Sequence, residues 1–116
     1  MTDPDVEHVQ TRLMLATSDT IVGREIIETL GLVRGNAVRA RGLGYDITAG
    51  IRNIFGGAVP EYTRLITTTR NEATLAMIDA AERMGADGIV TIRYTTSMIS
   101  TGISEILAFG TAVRLR

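Results

Sequence analysis

From Pro60 to Gly85 the chain runs without an internal glycine or proline, and that one stretch constrains the rest of the fold. Proline has a fixed φ and no backbone donor, neither of which matters in the first turn of a helix. Glycine reaches the left-handed conformation that ends one, and Arg83 stands in the last turn, where a cation suits the helix dipole. The spacing therefore predicts a long helix over residues 60–84. Tyr62, Leu65, Ile66, Ala73, Met77, Ala80, Ala81 and Met84 form its apolar stripe. The second half of that stripe is mostly alanine, which lets a helix lie close against a sheet. Leu75 and Ile78 fall off the stripe and are expected to face a second partner. Asp79 and Arg83 are spaced for an i, i+4 ion pair.

Just upstream, Ile47, Ile51, Ile54 and Phe55 fall at i, i+4, i+7 and i+8, an apolar stripe on a shorter helix. Asp46 is placed to cap its N-terminus. Gly56 and Gly57 end it and form a tight structural joint before the helix that starts near Pro60. Gly42 and Gly44 precede this helix and could offer backbone N–H groups to an anion, although Asp46 competes for the same donors.

The flanking segments read as strands. Residues 12–17 are a short apolar run. Residues 25–40 are rich in β-branched side chains and interrupted by Gly31 and Gly35, which a strand with a bend or bulge accommodates better than a helix does. Residues 87–98 alternate, with Ile89, Thr91, Arg93 and Thr95 expected on one side and Val90, Ile92, Tyr94 and Thr96 on the other. Ser100-Thr101-Gly102 has hairpin chemistry, and residues 104–114 form the last strand, with a bulge expected at Gly110. The predicted fold class is α+β: a mostly antiparallel sheet with one short and one long helix, in the order β-β-α-α-β-β. Residues 1–10 are polar, acidic and broken by Pro4, and are expected to form a disordered leader before a single domain at 11–116.

An ordered set of short pieces in this chain resembles the YbjQ family. These are Gly31-Leu32-Val33-Arg34-Gly35, Ala49-Gly50-Ile51-Arg52, Gly56-Gly57 with Tyr62 and Arg70, Met84-Gly85-Ala86-Asp87-Gly88-Ile89-Val90, and Gly110-Thr111-Ala112-Val113. The resemblance implies an α+β subunit that assembles into a ring-shaped homopentamer. It also carries a heavy-metal-binding label, while the function of the family is unassigned.

Composition excludes several chemistries. All 12 basic residues are arginine, so neither a lysine Schiff base nor a Walker-type lysine is available. There is no cysteine and a single histidine, His8, in the expected leader. A soft-metal site wants thiolates or several imidazoles, so no metal ligands and no cofactor are assigned. The same shortage leaves no nucleophilic triad and no catalytic residues. Met14, Met77, Met84 and Met98 read as core filler. Glu25, Glu28 and Glu105 read as solvated or paired with arginine. The formal net charge is -1 and the arginines are scattered, which gives no nucleic-acid footprint. No apolar run reaches the ~20 residues of a membrane span, and the cytoplasm is the expected compartment.

The candidate ligand-binding residues are Asp46, Arg52, Tyr62 and Arg70, on the two helices flanking the glycine joint. They are expected either to bridge subunits or to hold a small anionic ligand between them. The leading expectation is a homo-oligomeric structural or small-ligand-binding protein. The alternative is an enzyme whose site is completed at the subunit interface.

Overall fold

The structure, a computed structural model, describes residues 9–40 and 59–116. Its elements are β1 (Met14–Leu15), β2 (Ile26–Ala40), α1 (Val59–Arg83), β3 (Gly88–Ser100) and β4 (Ile103–Leu115). The four strands form one mixed sheet in the order β1-β3-β4-β2. The long pairs β2/β4 and β3/β4 are antiparallel, and the short β1 runs parallel to β3. The described order is therefore β-β-α-β-β with one helix, not the predicted β-β-α-α-β-β. The expected short helix and the Gly56-Gly57 joint lie outside the described residues.

Helix α1 forms where the sequence places it, and it stops as expected. Gly85 has φ +78, and its N–H donates to the Glu82 carbonyl while Ala86 N donates to Ala81 O. The Arg83–Asp79 pair is formed on its outer side. The helix lies over β2 and β4 and touches β3 only at its margin. Ala73, Met77, Ile78 and Ala81 meet Val33 and Ala37 of β2, Ile106, Ala108 and Ala112 of β4, and Ile89 and Ile92 of β3. Ile78 is buried rather than turned to a second partner, because the buried face of α1 spans both sides of Met77. Leu75 does remain exposed.

Several glycines and methionines behave differently from the expectation. The bend in β2 is at Gly31, with φ +131 and a register shift between Thr29 and Gly31. Gly35 is no bend. A Cβ there would sit 2.3 Å from both the Ala73 carbonyl oxygen and the Met77 nitrogen, so glycine is what lets the helix backbone reach the strand. The bulge expected at Gly110 instead sits opposite it on β3, between Val90 and Arg93, where Thr91 takes φ 55. This extra residue breaks the predicted alternation: Ile89 and Ile92 both enter the helix-side core, and Val90 turns to the opposite face. Of the four methionines read as core filler only Met77 is fully buried; Met14, Met84 and Met98 are exposed.

A second, smaller core closes the other face of the sheet at one end. Ile21, carried by the loop between β1 and β2, packs with Val90, Val113 and Leu115, and with Ala16 and Ile26 at its margin. The rest of that face is uncovered among the described residues.

Candidate functional site

The polar residues nearest the helix are concentrated along its first described turns. Thr69 and Thr74 are the two buried polar side chains among the described residues, and both face the sheet. Arg39, near the end of β2, donates from Nε to Thr69 Oγ1 at 3.1 Å and pairs with Glu72 through its terminal nitrogen. Thr74 Oγ1 donates to the Arg70 carbonyl at 2.8 Å, one helical turn back, and lies 2.8 Å from the Tyr94 hydroxyl. The hydroxyl of Thr74 is committed to Arg70, so Tyr94 supplies the proton of the second bond. This polar seam ties α1 to β2 on one side and to β3 on the other.

Arg70 itself is exposed on the helix, and no described residue bonds or pairs with its guanidinium. It is the one candidate ligand residue whose side chain can be placed. Asp46, Arg52, Gly56 and Gly57 lie outside the described residues, as does the Gly42–Gly44 anion reading. Tyr62 lies within α1, but its side chain is not among those described. Among the described residues, then, the structure brings no second member of the predicted set to Arg70.

Two features escaped the sequence reading. The turn after α1 is a knot of strand ends. Asp87 accepts from Leu115 N through Oδ2 at 2.9 Å, donates its own N–H to Val113 O at 2.9 Å, and receives Met14 N on its carbonyl at 3.1 Å. The Ala86-Asp87-Gly88 piece thus earns its place by joining β1, β3 and β4. The second feature is a row across the uncovered face, where the register aligns Arg34, Phe109 and Arg93. Arg93 is occupied by the Thr17 and Ile92 carbonyls at 2.8 Å each, whereas Arg34 has no bonding partner among the described residues. Only the alternation of β2 with β4, once known, could have shown this row.

Glu25 and Glu28 are paired with Arg116 and Arg114, as expected, while Glu105 receives Asn36 Nδ2 at 3.0 Å instead of an arginine. No group of three or more His, Cys, Asp or Glu residues able to hold a metal ion occurs among the described residues. With no cysteine and one histidine in the whole chain, the available donors do not fit a soft-metal site. No helix of the described residues is long and apolar enough to cross a membrane.

Four strands with one helix laid across two of them, and a polar seam beside Arg70, make a small α+β domain. The chain belongs to the YbjQ family, whose model, described as "Putative heavy-metal-binding", matches residues 13–116. It is similar to a UPF0145 protein from Halorubrum lacusprofundi, with 55% identity over 88% of this chain and 98% of the relative. A UPF0145 protein from Archaeoglobus fulgidus is 46% identical over 93% of this chain and 100% of its own length. In fold it is similar to a protein of unknown function of the DUF74 family from Pediococcus pentosaceus. That likeness has a TM-score of 0.63 at 14% identity and covers 90% of this chain and 98% of the other.

Proposed function

We propose that this chain is the subunit of a ring-shaped homopentamer whose role is structural or the binding of a small anion at the boundary between copies. The observation that carries the reading is apolar surface held on ordered elements. Leu75 on α1, Leu32 and Val38 on the uncovered face of β2, and Met98 and Ile99 on β3 are all exposed. Side chains of this kind, gathered on regular elements rather than scattered singly, mark contact surfaces. Arg70 supports the anion: an exposed guanidinium with no bonding partner among the described residues is free to hold a carboxylate or phosphate oxygen. Metal binding is not part of the proposal, because the donor set does not fit it.

Light scattering of the full chain at micromolar concentration is expected to give the mass of a pentamer, and a monomer overturns the reading. Titration with inorganic phosphate in a calorimeter then separates the two roles. Binding to the assembled protein that weakens at least tenfold in Arg70→Ala identifies the ligand role, and no heat in either protein leaves the structural one.

A further inference from the structure

The sheet has two unlike open edges. On one side β1 pairs with β3 only at Gly88 and Ile89, and two more bonds, Thr91 N to Ser18 O and Ile92 N to Ala16 O, end the coverage. From Arg93 onward the outer edge of β3 meets no backbone partner among the described residues. On the other side the whole outer edge of β2 lacks one as well. Residues 94–100, Tyr-Thr-Thr-Ser-Met-Ile-Ser, contain no charge, no proline and no glycine, and every one of them is exposed. Met98 is 70% and Ile99 58% exposed. Helix α1 reaches this arm only at Tyr94, whose hydroxyl lies 2.8 Å from Thr74 Oγ1; beyond it the arm has no cover on its outer edge or on either face among the described residues.

Such an edge is a template for strand addition, and natural soluble chains blunt it with charge, proline or a bulge. Beyond Arg93 this one carries none of those devices apart from a register irregularity between Met98 and Ser100. The β2 edge carries two register shifts between Ile26 and Gly31, and further along the charges of Arg34 and Arg39. From Leu32 to Ala40 its register with β4 is continuous, and Leu32 (66%) and Val38 (47%) stand exposed beside it.

We infer that residues 94–100 of β3 pair with residues 32–40 of β2 from a second copy of this chain, so that the sheet continues from one subunit to the next. The occupant is a second copy because the chain itself supplies both halves of the contact, and one contact type then covers both open edges. A two-fold pairing of β3 with its own copy would leave β2 bare. Unlike edges joined head to tail make a heterologous interface, which closes into a ring when the rotation allows. Both β2 and β3 run antiparallel to β4, so they point the same way, and a sheet continuing around an axis along the strands pairs them in parallel. This inference rests on the assembly proposed above and specifies its interface.

Two variants separate the possibilities. Met98→Lys with Ile99→Lys spoils the β3 edge, and Leu32→Lys with Val38→Lys spoils the β2 edge. All four side chains are exposed, so each variant is expected to fold, and circular dichroism is the check on that. Head-to-tail pairing expects each variant alone to be monomeric by light scattering. Their equimolar mixture should give a dimer, since one good edge of each kind remains. If the β2 variant self-associates while the β3 variant does not, the contact is β3 on β3 and the head-to-tail pairing is wrong. Two variants that both stay as large as the wild type place the interface elsewhere and overturn the inference while leaving the assembly intact. A monomeric wild type overturns both. Amide exchange gives a check on the unaltered protein, because an unpaired edge strand turns every second N–H outward. Protection is expected at consecutive amides across 94–100 in the assembly, and a pattern protected only at alternate amides overturns the pairing.

Discussion

Gly35 and Gly85 show two different reasons for a glycine, and they predict different mutational behaviour. At Gly35 the constraint is space. Ala73 O, Met77 N and Ala76 C lie 2.3, 2.3 and 2.8 Å from where a Cβ would stand, and all three are backbone atoms that cannot swing aside. At Gly85 nothing lies within 4 Å, but φ is +78. Gly35→Ala is therefore expected to push the helix off the strand and cost about 3 kcal/mol or more, at or beyond the top of the overpacking range. Gly85→Ala should cost ~1–2 kcal/mol from backbone strain alone. The two are told apart by asparagine, which tolerates the left-handed region. Gly85→Asn should recover part of the loss, whereas Gly35→Asn should be worse than Gly35→Ala. Urea midpoints at constant slope measure this. A Gly35→Ala variant more stable than Gly85→Ala would mean that α1 does not sit so close to β2.

At the scale of elements, α1 is held in two ways, by alanines and one large side chain toward its C-terminus and by hydroxyls in its middle. Met77 is fully buried between β2 and β4, so Met77→Ala is expected to cost ~2–5 kcal/mol, the range for a cavity of that size. Tyr94→Phe removes only one bond to a Thr74 hydroxyl that keeps its Arg70 partner, and about 1 kcal/mol is expected. Thermal or urea melts of the two variants check the order; an equal loss would mean that the polar seam matters as much as the core. This division also explains how far the sequence could be read. The helix, its stop at Gly85, the hairpin at Gly102 and the long second strand follow from local chemistry, and the sequence showed them. The Thr91 bulge did not show, because an extra residue leaves the composition of an alternating segment unchanged while reversing which side chains face the core. Gly35 looked like a bend for a similar reason: a glycine required by a distant helix has the same local signature as one required by its own φ. Of the candidate site only Arg70 could be checked, and nothing along the sequence indicated the Asp87 knot, whose bonds join strand ends far apart in the chain.

At the scale of the molecule, the long axis is 52 Å and the short one 19 Å, a slab with a helix on one side and, among the described residues, much of the other bare. A thin slab buries less of its surface than a sphere of the same length of chain, so association has room to contribute to its stability. If the open edges are covered by neighbouring copies, folding and assembly are linked, and the folded assembly is favoured by mass action. The melting temperature of the wild type is then expected to rise with protein concentration over a roughly hundredfold range, as that linkage requires. The Met98→Lys/Ile99→Lys variant should show no such rise. At high dilution the two should melt together, because exposed substitutions outside any contact shift stability by no more than about 0.5 kcal/mol. Differential scanning calorimetry across the dilution series reads all three expectations. A wild-type melting temperature that stays flat while light scattering reports a stable oligomer would show that assembly buries little of this surface, and that the bare edge of β3 is tolerated for another reason.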